Sequence, residues 1–296
     1  MKMLLVYNYK AGGGRAEKLY PDVETVLTEK GIQYDELFTE YRGHGIDLVK
    51  ETDLTGYEGI IAAGGDGTLF EVINGYYKNA ALKKPPIGVL PIGTGNAFAR
   101  DLELDSDHWK DAIDIISRCK PRKVDVGHFK THGEDYYYLN ILGMGFVADV
   151  TKAAHSMKFL GNVSYTLGVL YETIKLSTHQ LNIELDGKKL DSENVFVEIS
   201  NTRWTSNFLM APKAAIDDGL LDVTIVNKLS RRRLLQCFPK IFTGEHINEP
   251  EVDQYQAKKI KIVTNVPKVL TPDGELLGAT PIEVECLHKA VEVFWK

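Results

Sequence analysis

The stretch richest in chemistry is Ile60-Ile61-Ala62-Ala63-Gly64-Gly65-Asp66-Gly67-Thr68, an apolar run delivered into a glycine-rich turn that opens a helical pattern. With three glycines in four residues, backbone N–H groups can approach phosphate oxygens while the helix start adds partial positive charge. A carboxylate in such a cradle would repel bare phosphate, so Asp66 points to a phosphate that arrives with Mg2+, or to a donor group that it holds. The same residues also read as a tight strand-to-helix turn with Asp66 as N-cap. Two more strand-to-loop-to-helix junctions lie at Asn8 to Gly14 and at Pro91-Ile92-Gly93-Thr94-Gly95-Asn96. None contains Gly-Lys-Ser/Thr, and none is a clean GxGxxG. Further on, Asp273-Gly274-Glu275 places two carboxylates in one short block after Pro272. Phosphoryl transfer needs positioning, a metal and a carboxylate to take the acceptor proton, which this pair could supply; Asp-Gly is equally an ordinary hairpin turn. Asp218-Gly219 reads first as a turn. The histidines show no metal-ligand spacing.

Positioning these groups calls for a parallel sheet, because strand and helix patterns alternate through the first third of the chain. Met3 to Asn8, Gln33 to Thr39, Gly59 to Ala63 and Ile87 to Leu90 read as strands. Helices are expected from Leu19, with Pro21 in a first turn or kink and Gly31 as the C-terminal cap, and at Gly45 to Glu51, Thr68 to Tyr77, Asn96 to Leu102 and Trp109 to Cys119. Loops at the carboxyl ends of parallel strands share one edge, so the three glycine-bearing loops should face one site. After about Val124 the texture becomes short alternating segments. Leu181 to Leu185 and Val195 to Ile199 flank the hairpin signal Asp186-Gly187, and later strands are Leu221 to Val226, Lys259 to Thr264, Ile282 to Cys286 and Val291 to Trp295. Arg231 to Phe242 reads as one helix capped by Ser230. The expected fold is an α/β N-terminal domain with a parallel sheet, followed by a β-rich C-terminal domain, an antiparallel sandwich with helices.

The 296 residues carry a formal net charge of −6, which supplies no global positive field for nucleic acid. No apolar run reaches the roughly 18 residues of a membrane span, and the best candidate, Tyr165 to Leu176, is interrupted by Glu172 and Lys175. The start has no signal-peptide pattern, so a cytoplasmic location is expected. Cys119, Cys237 and Cys286 read as reduced structural thiols. Candidates for an apolar surface touching a bilayer are Phe208-Leu209-Met210 and Tyr165 to Leu176; both also read as core. Arg231-Arg232-Arg233 could meet anionic headgroups or simply begin a solvated helix. His44 could cap a helix or edge a nucleotide.

The block Gly64 to Thr68, with Pro91 to Arg100, resembles the bacterial diacylglycerol kinase and sphingosine kinase-like lipid kinases. The likeness continues through Asp125-Val126-Gly127, Asn140, Gly143 to Asp149, Gly161, Tyr165, Ala211 to Ala214, Asp218 to Asp222 and Asp273 to Glu275. It implies an ATP-binding domain at 1–123, to which the last strand, about 288–296, returns, and a lipid-acceptor domain at 124–287, with the active site in the cleft between them. On that pattern Asn8, Gly12, Thr39, Gly64, Gly65, Asp66, Gly67, Thr68, Thr94 and Asn96 would contact ATP. Asp273 and Glu275 would meet the lipid hydroxyl, Glu275 as proton acceptor, with Asp66 also catalytic. A Mg2+ would be held around Ala215, Asp218 and Leu220. Two positions depart from the family: Tyr9 stands where Pro usually follows Asn, and Ala97 where bacterial diacylglycerol kinases usually carry Asp. The second resembles sphingosine and ceramide kinases. The expected activity is Mg2+- and ATP-dependent phosphorylation of a neutral lipid, diacylglycerol to phosphatidate, by an enzyme peripheral to the membrane, for which a homodimer is allowed. NAD kinase, a kinase of sphingoid bases or other lipids, and a non-catalytic lipid-binding homologue are the alternatives. The composition of 140–150 and 201–215, with Ile141, Leu142, Met144, Phe146, Trp204, Phe208, Leu209 and Met210, favours a lipid chain over a dinucleotide.

Overall fold

The structure, a computed structural model, describes residues 1–118, 120–146, 148–150, 173 and 176–296. Cys119, Gly161, Tyr165 and nearly all of the Tyr165 to Leu176 stripe lie outside the described residues. The chain divides into one unit of Met1–Val124 with Lys289–Lys296, and a second of Asp125–His288.

The first unit alternates β1 (Lys2–Tyr7), α1 (Arg15–Glu29), β2 (Gln33–Phe38), α2 (His44–Glu51), β3 (Gly59–Gly64), α3 (Asp66–Lys78), β4 (Ile87–Pro91), α4 (Ala97–Asp101) and α5 (Trp109–Ser117). Its strands pair in parallel in the order β4-β3-β1-β2. Strands β3 and β4 are buried along their whole length, as continuous apolar runs require when helices cover both faces of a sheet. From the end of the chain, Val293 pairs in parallel with Ile87. Helix α1 starts four residues before Leu19 and contains Pro21 in its interior, which corrects the expected first-turn placement. Helix α3 starts at Asp66, two residues earlier than its apolar spacing indicated, because Gly65 takes the N-cap position.

The second unit is antiparallel in its long sheet. Its strands are β5 (Pro121–Thr131), which begins in the first unit, β6 (Glu134–Tyr138), β7 (Ile141–Gly145), β8 (His179–Leu185), β9 (Lys188–Ser200), β10 (Trp204–Thr205), β11 (Phe208–Leu209) and β12 (Leu221–Asn227). After helix α6 (Arg231–Cys237) come β13 (Val252–Ala257), β14 (Lys259–Thr264), β15 (Leu270–Pro272) and β16 (Ile282–Phe294). The order is β13-β12-β9-β8-β14-β16, while β7 pairs with both β9 and β15. The β8–β9 hairpin turns at Asp186 and Gly187, both at positive φ, as that dipeptide demands. Two expectations are corrected. The helix from Arg231 stops at Cys237 and continues as a 3-10 turn over Phe238–Phe242, because Pro239 lacks the N–H that an α-helix would use. The two final strands are one, β16, which passes through Lys289 at a φ of 51°.

Candidate functional site

In the first unit the three loops at the carboxyl ends of β1, β3 and β4 are held against one another. Asn8 donates from Nδ2 to Thr68 Oγ1 at 3.0 Å, and its backbone N–H reaches Ala63 O at 3.0 Å. A Cβ on Gly12, whose φ is 61°, would lie 2.8 Å from Ile92 O. Gly64 carries no Cβ because one would stand 2.2 Å from Thr68 Oγ1, and a Cβ on Gly93 would fall 2.3 Å from the Gly65 Cα. The glycines are therefore what let these loops touch. Ile92 and Gly93 complete the junction by donating their N–H groups to Gly64 O at 3.1 and 3.0 Å.

Asp66 sits at this junction in the first turn of α3, not at its N-cap. Its Oδ1 accepts from the Ala97 N–H at 2.7 Å, so the carboxylate caps α4 from a neighbouring loop. Burial pushes its pKa up, against the opposing pull of the Ala97, Phe98 and Asn96 amides and the Arg100 charge. Asn96, in the left-handed region at a φ of 52°, donates Nδ2 to Gly93 O at 2.9 Å. Its Oδ1 is buried without a hydrogen-bond partner, an acceptor waiting at the loop junction for a donor. Thr94 is exposed beside it, and Thr39 donates its N–H to Tyr7 O at 3.0 Å from the end of β2. Tyr9 stacks on Phe38 with ring centroids 4.6 Å apart, which gives the residue in the usual proline position an aromatic partner. Glu71, not singled out from sequence, receives the N–H groups of Gly43 and Gly45 at 2.6 and 2.8 Å and fixes the start of α2. His44, the first residue of α2, stacks on Tyr41 and accepts the Glu40 N–H at Nδ1.

In the second unit Asp273 and Glu275 flank Gly274 in a tight turn, with Asp273 and Gly274 at positive φ and the Glu275 N–H on Pro272 O at 2.7 Å. The two carboxylates are in different situations. Asp273 is 7% exposed, and its side chain accepts from the N–H groups of Ile141 at 2.9 Å, Asn140 at 3.1 Å and Leu139 at 3.4 Å. It ties β15 to the start of β7, while Glu275 is half-buried at the end of the turn.

The loop before β12 carries Ala215, Asp218 and Leu220. Asp218 accepts the Leu220 N–H at 3.0 Å, and its pKa is raised by burial first and then by the charges of Asp125 and Asp217. Asp125 is fully buried and fixes this loop by accepting the Gly219 N–H at 2.6 Å, while its other oxygen lies 2.9 Å from His288 Nδ1. Asp217 and Asp218 put two carboxylates on this loop, and carboxylate and carbonyl oxygens are the ligands that a hard divalent cation takes. Cys237, Glu249 and Glu251 also bring potential ligand atoms together, but Arg233 and Lys240 pair with Glu249, and Arg233 with Glu251, so that cluster is an ion-pair network. Cys237 and Cys286 are buried and free.

The second unit also holds an apolar cavity, partly open to solvent. Phe146, Phe208 and Met210 line it, together with Phe196, Val226 and Leu234; Ile141, Leu142, Met144, Trp204 and Leu209 are not in its wall. Glu198 is the buried acid on that wall, and an isolated Glu among alternating apolar residues gave no sequence signal for it.

Residues 2–129 match the family described as "Diacylglycerol kinase catalytic domain", and residues 140–295 match "YegS C-terminal NAD kinase beta sandwich-like domain". The diacylglycerol kinase of Staphylococcus carnosus (strain TM300) is 30% identical over 293 residues, 98% of this chain and 94% of that protein. That of Bacillus subtilis (strain 168) is 29% identical with the same coverage. A crystal structure of a diacylglycerol kinase from Bacillus anthracis (strain Sterne) superposes with a TM-score of 0.81 at 26% identity, covering 100% of this chain and 97% of that one. The fold, a parallel α/β unit followed by a β-rich unit, and its glycine-rich loops are those of a lipid kinase. This chain belongs to the diacylglycerol kinase family.

Proposed function

We propose that this lipid kinase transfers the γ-phosphoryl group of ATP, with Mg2+, to the hydroxyl of a neutral lipid, diacylglycerol giving phosphatidate. The observation that carries the lipid acceptor is the apolar cavity with Phe146, Phe208 and Met210 in its wall, which suits an acyl chain and offers little to a second nucleotide. We assign ATP to residues 1–123 with the last strand, and the lipid to 124–287. Asn8, Gly12, Thr39, Gly64, Gly65, Gly67, Thr68, Thr94 and Asn96 bind the nucleotide, and the unpartnered Asn96 Oδ1 supports this role. Asp66 orients the metal-bound phosphates. Glu275 accepts the proton of the lipid hydroxyl as its oxygen bonds to the γ-phosphorus, the bond from that phosphorus to the bridging oxygen breaks, and ADP leaves. Asp273 holds the turn on which Glu275 sits. Ala215, Asp218 and Leu220 would hold a structural Mg2+, the acidic surroundings of Asp218 being the supporting observation. When bound, Mg2+ at the phosphates supplies charge neutralisation as the transferred group moves.

Because the acceptor is drawn from a membrane, we place the enzyme at the cytoplasmic membrane surface. Among the described residues no helix is long and apolar enough to cross a bilayer. The test is labelled ATP with diacylglycerol, monoacylglycerol, ceramide and sphingosine in mixed micelles. Phosphatidate as the main product is expected, and sphingosine phosphate as the main product would overturn the choice of acceptor.

A further inference from the structure

Glu198 is 1% exposed and lies on the wall of the apolar cavity in the second unit. Strand register explains how it gets there. Across the sheet Glu198 of β9 is opposite Gly143 of β7, and Gly143 is opposite Thr271 of β15, so the three share one face. Thr271 is two residues before the Asp273-Gly274-Glu275 turn, and two strand spacings separate it from Glu198, about 10 Å. Gly143 contributes no side chain between them. Thr271 Oγ1 is buried without a hydrogen-bond partner.

The carboxyl group is arranged asymmetrically. Thr205 donates its hydroxyl at 2.7 Å and Ser200 at 3.2 Å, and both bonds go to Oε1. Both hydroxyls engage one oxygen, Oε1, which leaves Oε2 for a partner in the cavity that Glu198 lines. Burial raises the Glu198 pKa to about 7, the two hydroxyls oppose the rise, and no charged group contributes. The other titratable groups on the wall are Cys237 of α6, His246 and Glu251. His246 is held toward its neutral form by burial, with Nε2 3.0 Å from Met210 O, and Glu251 is paired with Arg233 at 2.8 Å. An acid hydroxyl in an apolar chamber selects a neutral acceptor, because an unmatched polar group there is costly.

We propose that Glu198, in its acid form, donates a hydrogen bond to an ester carbonyl of the acceptor lipid and so makes the enzyme prefer acylglycerols to lipids without a carbonyl at that position. The inference rests on the lipid-kinase reading above. It is tested by kcat/KM for a dioleoylglycerol and for the matching dialkyl ether glycerol, which lacks the carbonyls, in mixed micelles with the full chain. Wild type should favour the ester about five- to tenfold at pH 6, mainly through KM, the size of one well-made hydrogen bond. The preference should fall as pH rises through about 7, where the raised pKa gives up the proton. Glu198→Leu should bring the ratio near one, and Glu198→Gln, which keeps a neutral donor at every pH, should hold the preference flat from pH 6 to pH 8. A pH-independent ratio in wild type, or a Gln variant that loses the preference as the Leu variant does, overturns the proposal and leaves the kinase reading standing. Failure of wild type to phosphorylate either glycerolipid overturns both. Should Glu198→Leu not fold, the wild-type and Gln profiles decide alone.

Discussion

Asp66 answers to two demands, the helix start that it caps and the phosphates that it is proposed to orient. Asn at this position keeps a side-chain oxygen for the Ala97 N–H and loses the charge. Asp66→Asn should therefore lower turnover at least about a hundredfold while the thermal midpoint moves little, since positioned charge on a metal-phosphate unit is worth several kcal/mol in the transition state. Near-wild-type lipid phosphorylation would remove Asp66 from the chemistry. The acceptor turn separates its two carboxylates by a different logic. Three backbone N–H groups converge on Asp273, and charge-assisted bonds of that kind make Asp273→Asn a stability variant, costing about 1–3 kcal/mol. Glu275→Gln should instead lose kcat with ATP affinity little changed. Calorimetry beside steady-state kinetics on the two variants checks this, and an interchange of their effects would assign the base to Asp273.

At the scale of elements, loops that touch through glycine backbones shape the proposed nucleotide site. Gly93→Ala places a Cβ 2.3 Å from the Gly65 Cα, so the β3–α3 and β4–α4 loops must separate. The expected result is at least tenfold weaker ATP binding by titration calorimetry with secondary structure retained; unchanged affinity would show that the loop contact does not shape the site. Much of this architecture was legible. Continuous apolar runs marked β3 and β4, and Asp186-Gly187 marked the β8–β9 hairpin to the residue. Helix α1 was placed late, because Pro21 reads as a boundary although the helix absorbs it. The helix from Arg231 was drawn too long, because apolar spacing carries through Pro239 while α-helical hydrogen bonding does not. Strand β16 was divided at a polar stretch that the backbone crosses with one positive φ, at Lys289. Residue types and spacing mark the glycine loops of the first unit and the acidic turn of the second. The Asp66 bond to Ala97, the Glu71 bonds to Gly43 and Gly45, and the exposure of Glu198 to a cavity arise between segments distant in sequence, and no local pattern encodes them.

For the molecule as a whole, the family makes it a lipid kinase, and the apolar cavity supports the proposed acceptor. The matched description of the second unit names a β-sandwich of NAD kinase type, so the architecture by itself is shared with enzymes of a water-soluble acceptor. The lining of that unit in this chain supports the proposed lipid acceptor, with Phe146, Phe196, Phe208 and Met210 in the wall of an apolar chamber. A dinucleotide would need polar partners for a second phosphate and a base, whereas an acyl chain needs only apolar surface removed from water. The formal charge of −6 gives no general attraction to anionic lipid, so any recruitment must come from local surface. The most direct measurement supplies the purified enzyme with labelled ATP and Mg2+ in one vessel holding both diacylglycerol micelles and NAD, and follows label into each product. The account predicts label in phosphatidate and none in NADP; label in NADP with none in lipid would contradict it.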